Sequence, residues 1–278
     1  MKKLLALVLA LALTCTAVSA MAVTIALPND ATNEGRALLL LANNGIIELD
    51  PDAGVLATKD DVISNPLGIE FYEVEAANVP NVMADVDYAI INNNFALDAG
   101  LNPSTGSLLK ESSDSPYANV LSVKEGNEET DLTKALIAAL SSQQVADFIA
   151  ETYPDGSVIS VVENPGDGYD ATVDYDALNG TKVIVGATPN PHALVLNVAK
   201  EILAAKGIEL EIMEFTDYVQ PNLALENGDI YANYFAHYPY QENFNAENGT
   251  HIANVLGVHV EPMALYGGKQ SDLSLLGK

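Results

Sequence analysis

The chain has 278 residues, nearly half of them hydrophobic, so a substantial core is available and wholesale disorder is excluded. Its 12 Lys plus Arg stand against 38 Asp plus Glu, a net charge of −26. Phosphate backbones and anionic membranes repel such a surface, so nucleic acid is no partner; the acidity itself reads as solubility. There is one arginine, Arg36, and every other fixed cation is a lysine. A composition that so avoids arginine points to a use for its planar, bidentate fork.

Residues 1–22 read as an export signal. Lys2 and Lys3 form the positive start, Leu4 to Leu13 the apolar stretch, and Val18-Ser19-Ala20 or Ala20-Met21-Ala22 the small-residue cleavage site. The apolar run is too short for an ordinary membrane span. The single cysteine, Cys15, follows it and offers a second reading, lipidation at that position. Cleavage near Ala22 would leave a chain without thiol or disulfide.

Two segments share one design. Val23 to Leu27 reads as a strand, Pro28-Asn29-Asp30 as a turn, and 35–44 as a helix closed by Gly45. Lys182 to Gly186 repeats the strand, Thr188 to Pro191 the turn, and 191–206 the helix, with Asn190 as its expected N-cap and Gly207 closing it. Each is the βα unit of a parallel or mixed sheet, and their separation predicts two lobes. Further strands are predicted at 69–74, 88–92, 119–123 and 258–266, with helices at 132–140 and 143–153. The Asp-, Gly- and Tyr-rich stretch 161–180 reads as a linker. Turns after strand C-termini line the crevice of α/β lobes, which places Asn29, Thr32, Asn92, Asn94, Thr188 and Asn190 near it.

Several stretches resemble the methionine-binding, NlpA-type lipoproteins of ABC importers: Pro28-Asn-Asp-Ala-Thr-Asn-Glu-Gly-Arg-Ala-Leu38, Ile91-Asn-Asn-Asn-Phe-Ala96, Asp217-Tyr-Val-Gln-Pro-Asn222, Asn233-Tyr-Phe-Ala-His-Tyr-Pro-Tyr240 and Glu261-Pro-Met-Ala-Leu-Tyr266. The resemblance implies an α/β, two-lobe, periplasmic-binding-protein-like (type II) fold with a central ligand cleft. Their order is inverted relative to the family, whose usual first half here starts near Lys182. This is the pattern of a circular permutation. The lobes expected from it are 23–108 and 109–278, the second containing the linker 161–180, with one crossing around Ala96 to Ser115.

The resemblance assigns Arg36 to a ligand carboxylate and makes Phe235, His237 and Tyr240 pocket residues. Asn92 is the candidate for the ammonium, helped by Asn94, and Tyr218 joins the aromatic wall, which suits a thioether. Tyr234, Ala236 and Tyr238 depart from the family's Asn-Ser-Phe-Gln-His-x-Pro-Tyr pattern and leave the pocket's fine shape open. The implied function is capture of methionine, or a related amino acid, for a membrane permease, by a monomer without cofactor or metal. The alternatives are another apolar amino acid or short peptide, or a surface adhesion role. No zinc-ligand spacing, Gly-x-Ser-x-Gly elbow or phosphate-binding glycine loop argues for an enzyme.

Overall fold

Aliphatic and β-branched runs bounded by Asn, Asp, Gly and Pro become the strands of two sheets in the computed structural model, which describes residues 22–112 and 116–278. The export segment and Cys15 lie outside the described residues, apart from Ala22. Among the described residues no helix is long and apolar enough to cross a membrane.

The first sheet has five strands in the order Glu70–Val74, Thr24–Pro28, Tyr88–Ile91, Ala264–Gly267, Leu109–Lys110. The first three run parallel and the last two turn the edge antiparallel. The helix Ala31–Asn43 starts on Asp30, whose side chain accepts the Asn33 N–H, and buries Ala37, Leu38, Leu40 and Leu41. It stops at Gly45, where φ is 64°; the Gly45 and Ile46 N–H groups return to the Ala42 and Leu41 carbonyls. Gly207, with φ of 75°, ends the helix Leu194–Ala204 through the same pair of bonds, to Ala204 and Leu203. The two βα units read from the sequence therefore share even their stops.

The second sheet has six strands in the order Glu209–Glu214, Lys182–Ala187, Ala232–His237, Ala118–Lys124, Ile252–Val260, Ile159–Ser160. Helices Asp131–Leu140, Gln143–Thr152 and Leu194–Ala204 cover one face around Leu136, Ile149, Val185 and Leu196. On the other face Phe235, Tyr240, Phe244 and Ile252 pack together. Entry into Leu194–Ala204 differs from expectation. A short helical turn, Pro189–Ala193, precedes it with Thr188 at the N-cap position; Asn190 is no cap, has non-helical backbone angles, and the Asn190–Pro191 bond is cis.

The expected strand 258–266 is two strands in two sheets. Ile252–Val260 pairs with Ala118–Lys124, and Ala264–Gly267 pairs with Tyr88–Ile91. Pro262, which has no N–H to give a ladder, sits in the break. This corrects the expected lobes 23–108 and 109–278 with their single crossing. The chain crosses after Glu111 and again at Glu261–Met263, and its last residues return to the first lobe, where Leu276 shares a core with Val23. The Glu111 N–H bonds the Met263 carbonyl at 3.0 Å, tying the crossings to each other.

The stretch 161–180 is pinned rather than loose. Gly166 exchanges backbone bonds with Ser141 and Gln143, Val173 is buried in the second core, and Gly180 donates to the Gly207 carbonyl. Lys206 lies over the Tyr169 ring, 4.6 Å from its centroid.

Candidate functional site

Parallel strands of both lobes point their C-terminal ends at one cleft, the usual crevice of such sheets. Asn33 and Arg36 follow the strand Thr24–Pro28, Asn92 to Asn94 follow Tyr88–Ile91, and Phe235 to Tyr240 end or follow Ala232–His237. All six residues predicted from the sequence line this cleft: Arg36 and Asn92 from the first lobe, Tyr218, Phe235, His237 and Tyr240 from the second. The space between them is about 330 Å³. The lobes are drawn together.

The polar wall is ordered from behind. Asp30 accepts from the Asn33 side-chain amide at 2.8 Å, which fixes the Asn33 oxygen toward the cleft's other groups. That oxygen accepts from Asn92 Nδ2 at 2.7 Å and from His237 Nε2 at 3.2 Å. His237 Nδ1 accepts the Tyr240 N–H at 3.2 Å, so Nε2 carries the proton. Burial, then the nearby Arg36, holds the His237 pKa well below the ordinary imidazole value, and the ring is neutral.

Arg36 is 4% exposed. Its Nε donates to both Glu111 oxygens at 2.8 and 3.0 Å, and Nη2 donates to Glu111 Oε2 and the Glu261 carbonyl, each at 2.6 Å. Tyr117 covers the guanidinium, its ring centroid 4.4 Å away. Burial opposes the charge, but Glu111 outweighs it and the pKa lies above the ordinary arginine value. None of these hydrogen bonds uses Nη1.

The run Asn92-Asn93-Asn94 is buried, and each side chain keeps one buried polar atom without a hydrogen bond: Asn92 Oδ1, Asn93 Oδ1 and Asn94 Nδ2. Buried amides rarely go unpaired except where a ligand or water completes them. The partnered halves are firm. Asn93 Nδ2 donates to the Ser157 carbonyl at 2.9 Å and to Glu261 Oε2 at 3.1 Å, and Asn94 Oδ1 accepts from the Tyr218 hydroxyl at 2.5 Å.

Aromatic rings close the other side. Tyr218 packs on Phe95, Phe235 and Tyr240 with centroids 4.8, 5.8 and 5.7 Å apart. The Tyr240 hydroxyl is spent on the Tyr218 carbonyl at 2.9 Å, so its ring serves as apolar surface.

The sequence reading missed Asn33, Asn93, Asn119 and Glu261 in the lining, and Glu111 behind Arg36; Ala236, noted there as a departure from the family pattern, lines it too. It also missed a buried group behind the cleft. His259 Nε2 and His192 Nε2 lie 2.7 and 3.3 Å from Glu261 Oε1, while their Nδ1 atoms face the Tyr234 and Thr188 hydroxyls. Among the described residues this is the group of three that offers metal-ligating atoms within 4.8 Å of one another. The short His259–Glu261 contact is that of an imidazole N–H donor to a carboxylate. Burial presses the His192 pKa down to about 3, so at neutral pH that ring is uncharged, and its Nε2 hydrogen-bonds Asn119 Oδ1 at 3.0 Å. Burial alone would raise the Glu261 pKa, but its histidine and asparagine neighbours hold it below the usual carboxylate value. Of the other expected rim residues, Thr188 holds His192 at 2.7 Å, Asn190 accepts from the Tyr153 hydroxyl at 2.6 Å, and Asn29 lines a neighbouring hollow.

Two α/β lobes with a buried arginine, orphaned amides and an aromatic wall between them define a two-lobed ligand-binding fold. The chain belongs to the NlpA lipoprotein family, whose model matches residues 18–162 and 183–278. It is 42% identical over 134 residues to the membrane lipoprotein TpN32 of Treponema pallidum, covering 48% of this chain and 50% of that one. It is 38% identical over 136 residues to the D-methionine-binding lipoprotein MetQ of Yersinia pestis, covering 48% and 50%. A solved nutrient-binding protein from Burkholderia cenocepacia, bound to methionine, is 40% identical over 48% of this chain and 56% of that one, with a TM-score of 0.46. The chain thus spans about half the length of the curated relatives it matches.

Proposed function

We propose that this cleft captures free methionine, or an amino acid of similar side chain, outside the cytoplasm and presents it to the permease of an ABC importer. The observation that carries this reading is the meeting of a buried guanidinium with unpartnered amide oxygens and an aromatic wall in one cleft. Arg36 meets the carboxylate, using Nη1 with charge-assisted bonds that are strong when buried. The oxygens of Asn92 and Asn93 meet the ammonium. Phe235, Tyr218 and Tyr240 receive the side chain, and thioether sulfur packs favourably on aromatic rings. His237 holds the polar wall in register through Asn33. The narrow space favours lobes that open to admit ligand and close upon it. The protein acts as a single chain, delivered by the export segment 1–22 or anchored through Cys15.

The circular permutation belongs to the same reading. A family model matches most of the chain in two blocks, skipping 163–182, yet each relative aligns with only about half of it. Halves in exchanged order would produce both facts, and the skipped block is the pinned stretch on the second lobe.

Calorimetric titration with L- and D-methionine tests the function. We expect one-to-one binding, weakened in Arg36→Ala by about 2 kcal/mol or more, the loss of a hydrogen bond to a charged group. An unmodified chain that binds neither enantiomer defeats the proposal.

A further inference from the structure

We propose that Glu111 sets the charge selectivity of the cleft, fixing and neutralising Arg36 so that the site takes a zwitterion and refuses a plain carboxylate. The inference rests on the reading of the cleft as an amino-acid site and names a residue which that reading did not require. Glu111 is not part of the cleft lining; it approaches Arg36 from behind and occupies both Nε and Nη2. Its own orientation is held because Oε2 also accepts the Met263 N–H at 2.8 Å. The guanidinium therefore cannot swing, and Tyr117 stacked on it blocks a further direction.

Charge completes the argument. Arg36 faces Glu111 on one side, and the cleft wall carries a second carboxylate, Glu261, which takes hydrogen bonds from His259 and Asn93. One guanidinium against two carboxylates leaves the closed site short of positive charge before any ligand enters. A ligand with a carboxylate alone deepens that deficit in a space screened from water, where like charges repel strongly. A ligand with an added ammonium removes the penalty, and the unpartnered Asn92 and Asn93 oxygens are acceptors suited to that group. Glu111 is thus a positioning residue that makes the ammonium obligatory without touching it.

The test compares L-methionine with its desamino analogue, 4-methylthiobutanoate, on the full chain and on Glu111→Gln and Glu111→Asp. The unmodified chain is expected to prefer methionine strongly. Glu111→Gln keeps an acceptor for Arg36 but deletes the charge, and the preference should fall by about tenfold or more. Glu111→Asp keeps the charge on a shorter stem; both ligands should weaken and the preference should hold. If Glu111→Gln shifts both ligands equally, or Glu111→Asp binds as tightly as the original, the proposal is overturned. If Glu111→Gln does not fold, Glu111→Asp still decides the positioning half. An unmodified chain that binds no methionine overturns the earlier reading of the cleft instead.

Discussion

The Tyr218 hydroxyl of the second lobe donates to Asn94 Oδ1 of the first at 2.5 Å. Asn94 belongs to the helix that starts after Tyr88–Ile91, and Tyr218 lies between the strand Glu209–Glu214 and the helix Gln220–Asn227. The bond therefore joins elements that share no sheet. It is a direct polar contact between the two lobes.

Tyr218→Phe should loosen the closed state while keeping the ring against Phe95 and Phe235. The expected cost is about 0.5–1.5 kcal/mol, seen as methionine affinity reduced by a few-fold to about tenfold. Small-angle scattering of the ligand-free protein should also show a larger radius of gyration. Unchanged affinity and unchanged scattering would remove this contact from the account.

Asn92 is the sharper test of ammonium recognition. Its Nδ2 is committed to Asn33, so only Oδ1 is available to a ligand. Asn92→Ala should reduce methionine affinity by about 1–3 kcal/mol, the cost of a charged group left without its acceptor. The desamino analogue should be affected far less. Equal losses for both ligands would mean that Asn92 only supports the wall.

Acid should destabilise the fold through His192. The folded-state pKa, about 3, lies below the unfolded value of 6.5, so the unfolded chain takes up the proton first. The stabilisation is complete above pH 6.5 and is lost as pH falls toward about 3. Near pH 5 the loss from this residue is about 2 kcal/mol. His237 adds in the same direction, because its pKa is also depressed. Urea unfolding between pH 7 and pH 5 should show a flatter pH dependence in His192→Gln than in the original chain. Parallel curves would contradict the assignment of a neutral, buried His192.

The proposed permutation makes its own forecast. A chain re-cut so that residues 183–278 precede 22–162, joined by a short flexible bridge, should fold and bind methionine comparably. The joint is short because Leu276 and Val23 already pack in one core. A re-cut chain that fails to fold, when the natural order folds, would argue that the exchanged order is not a permutation.

Much of this was legible in one dimension. Strand-then-helix patterns and their glycine stops, at Gly45 and Gly207, are local, and local chemistry decided them. The six cleft residues came from motifs or from turns after strands, and the lobes brought them together. What escaped were long-range pairings. Glu111 is 75 positions from Arg36 and is one of 38 acidic residues, so no spacing singles it out. His192 and His259 share no helix or strand, and meet only because the strand Ile252–Val260 and the turn after Lys182–Ala187 converge on Glu261. The run 258–266 has the apolar pattern of one strand, and only the ladder partners reveal that Pro262 divides it between lobes.

The double crossing has a consequence for the order of assembly. Every strand of the second sheet comes from one uninterrupted stretch, Ala118 to Val260, so that lobe can form as soon as its own residues are available. The first sheet cannot. The strand Ala264–Gly267 sits between Tyr88–Ile91 and Leu109–Lys110, and without it the sheet is split and Leu109–Lys110 has no neighbour. The part of the chain made first is therefore the part finished last, and the cleft comes into being only when the final strand slides into its slot.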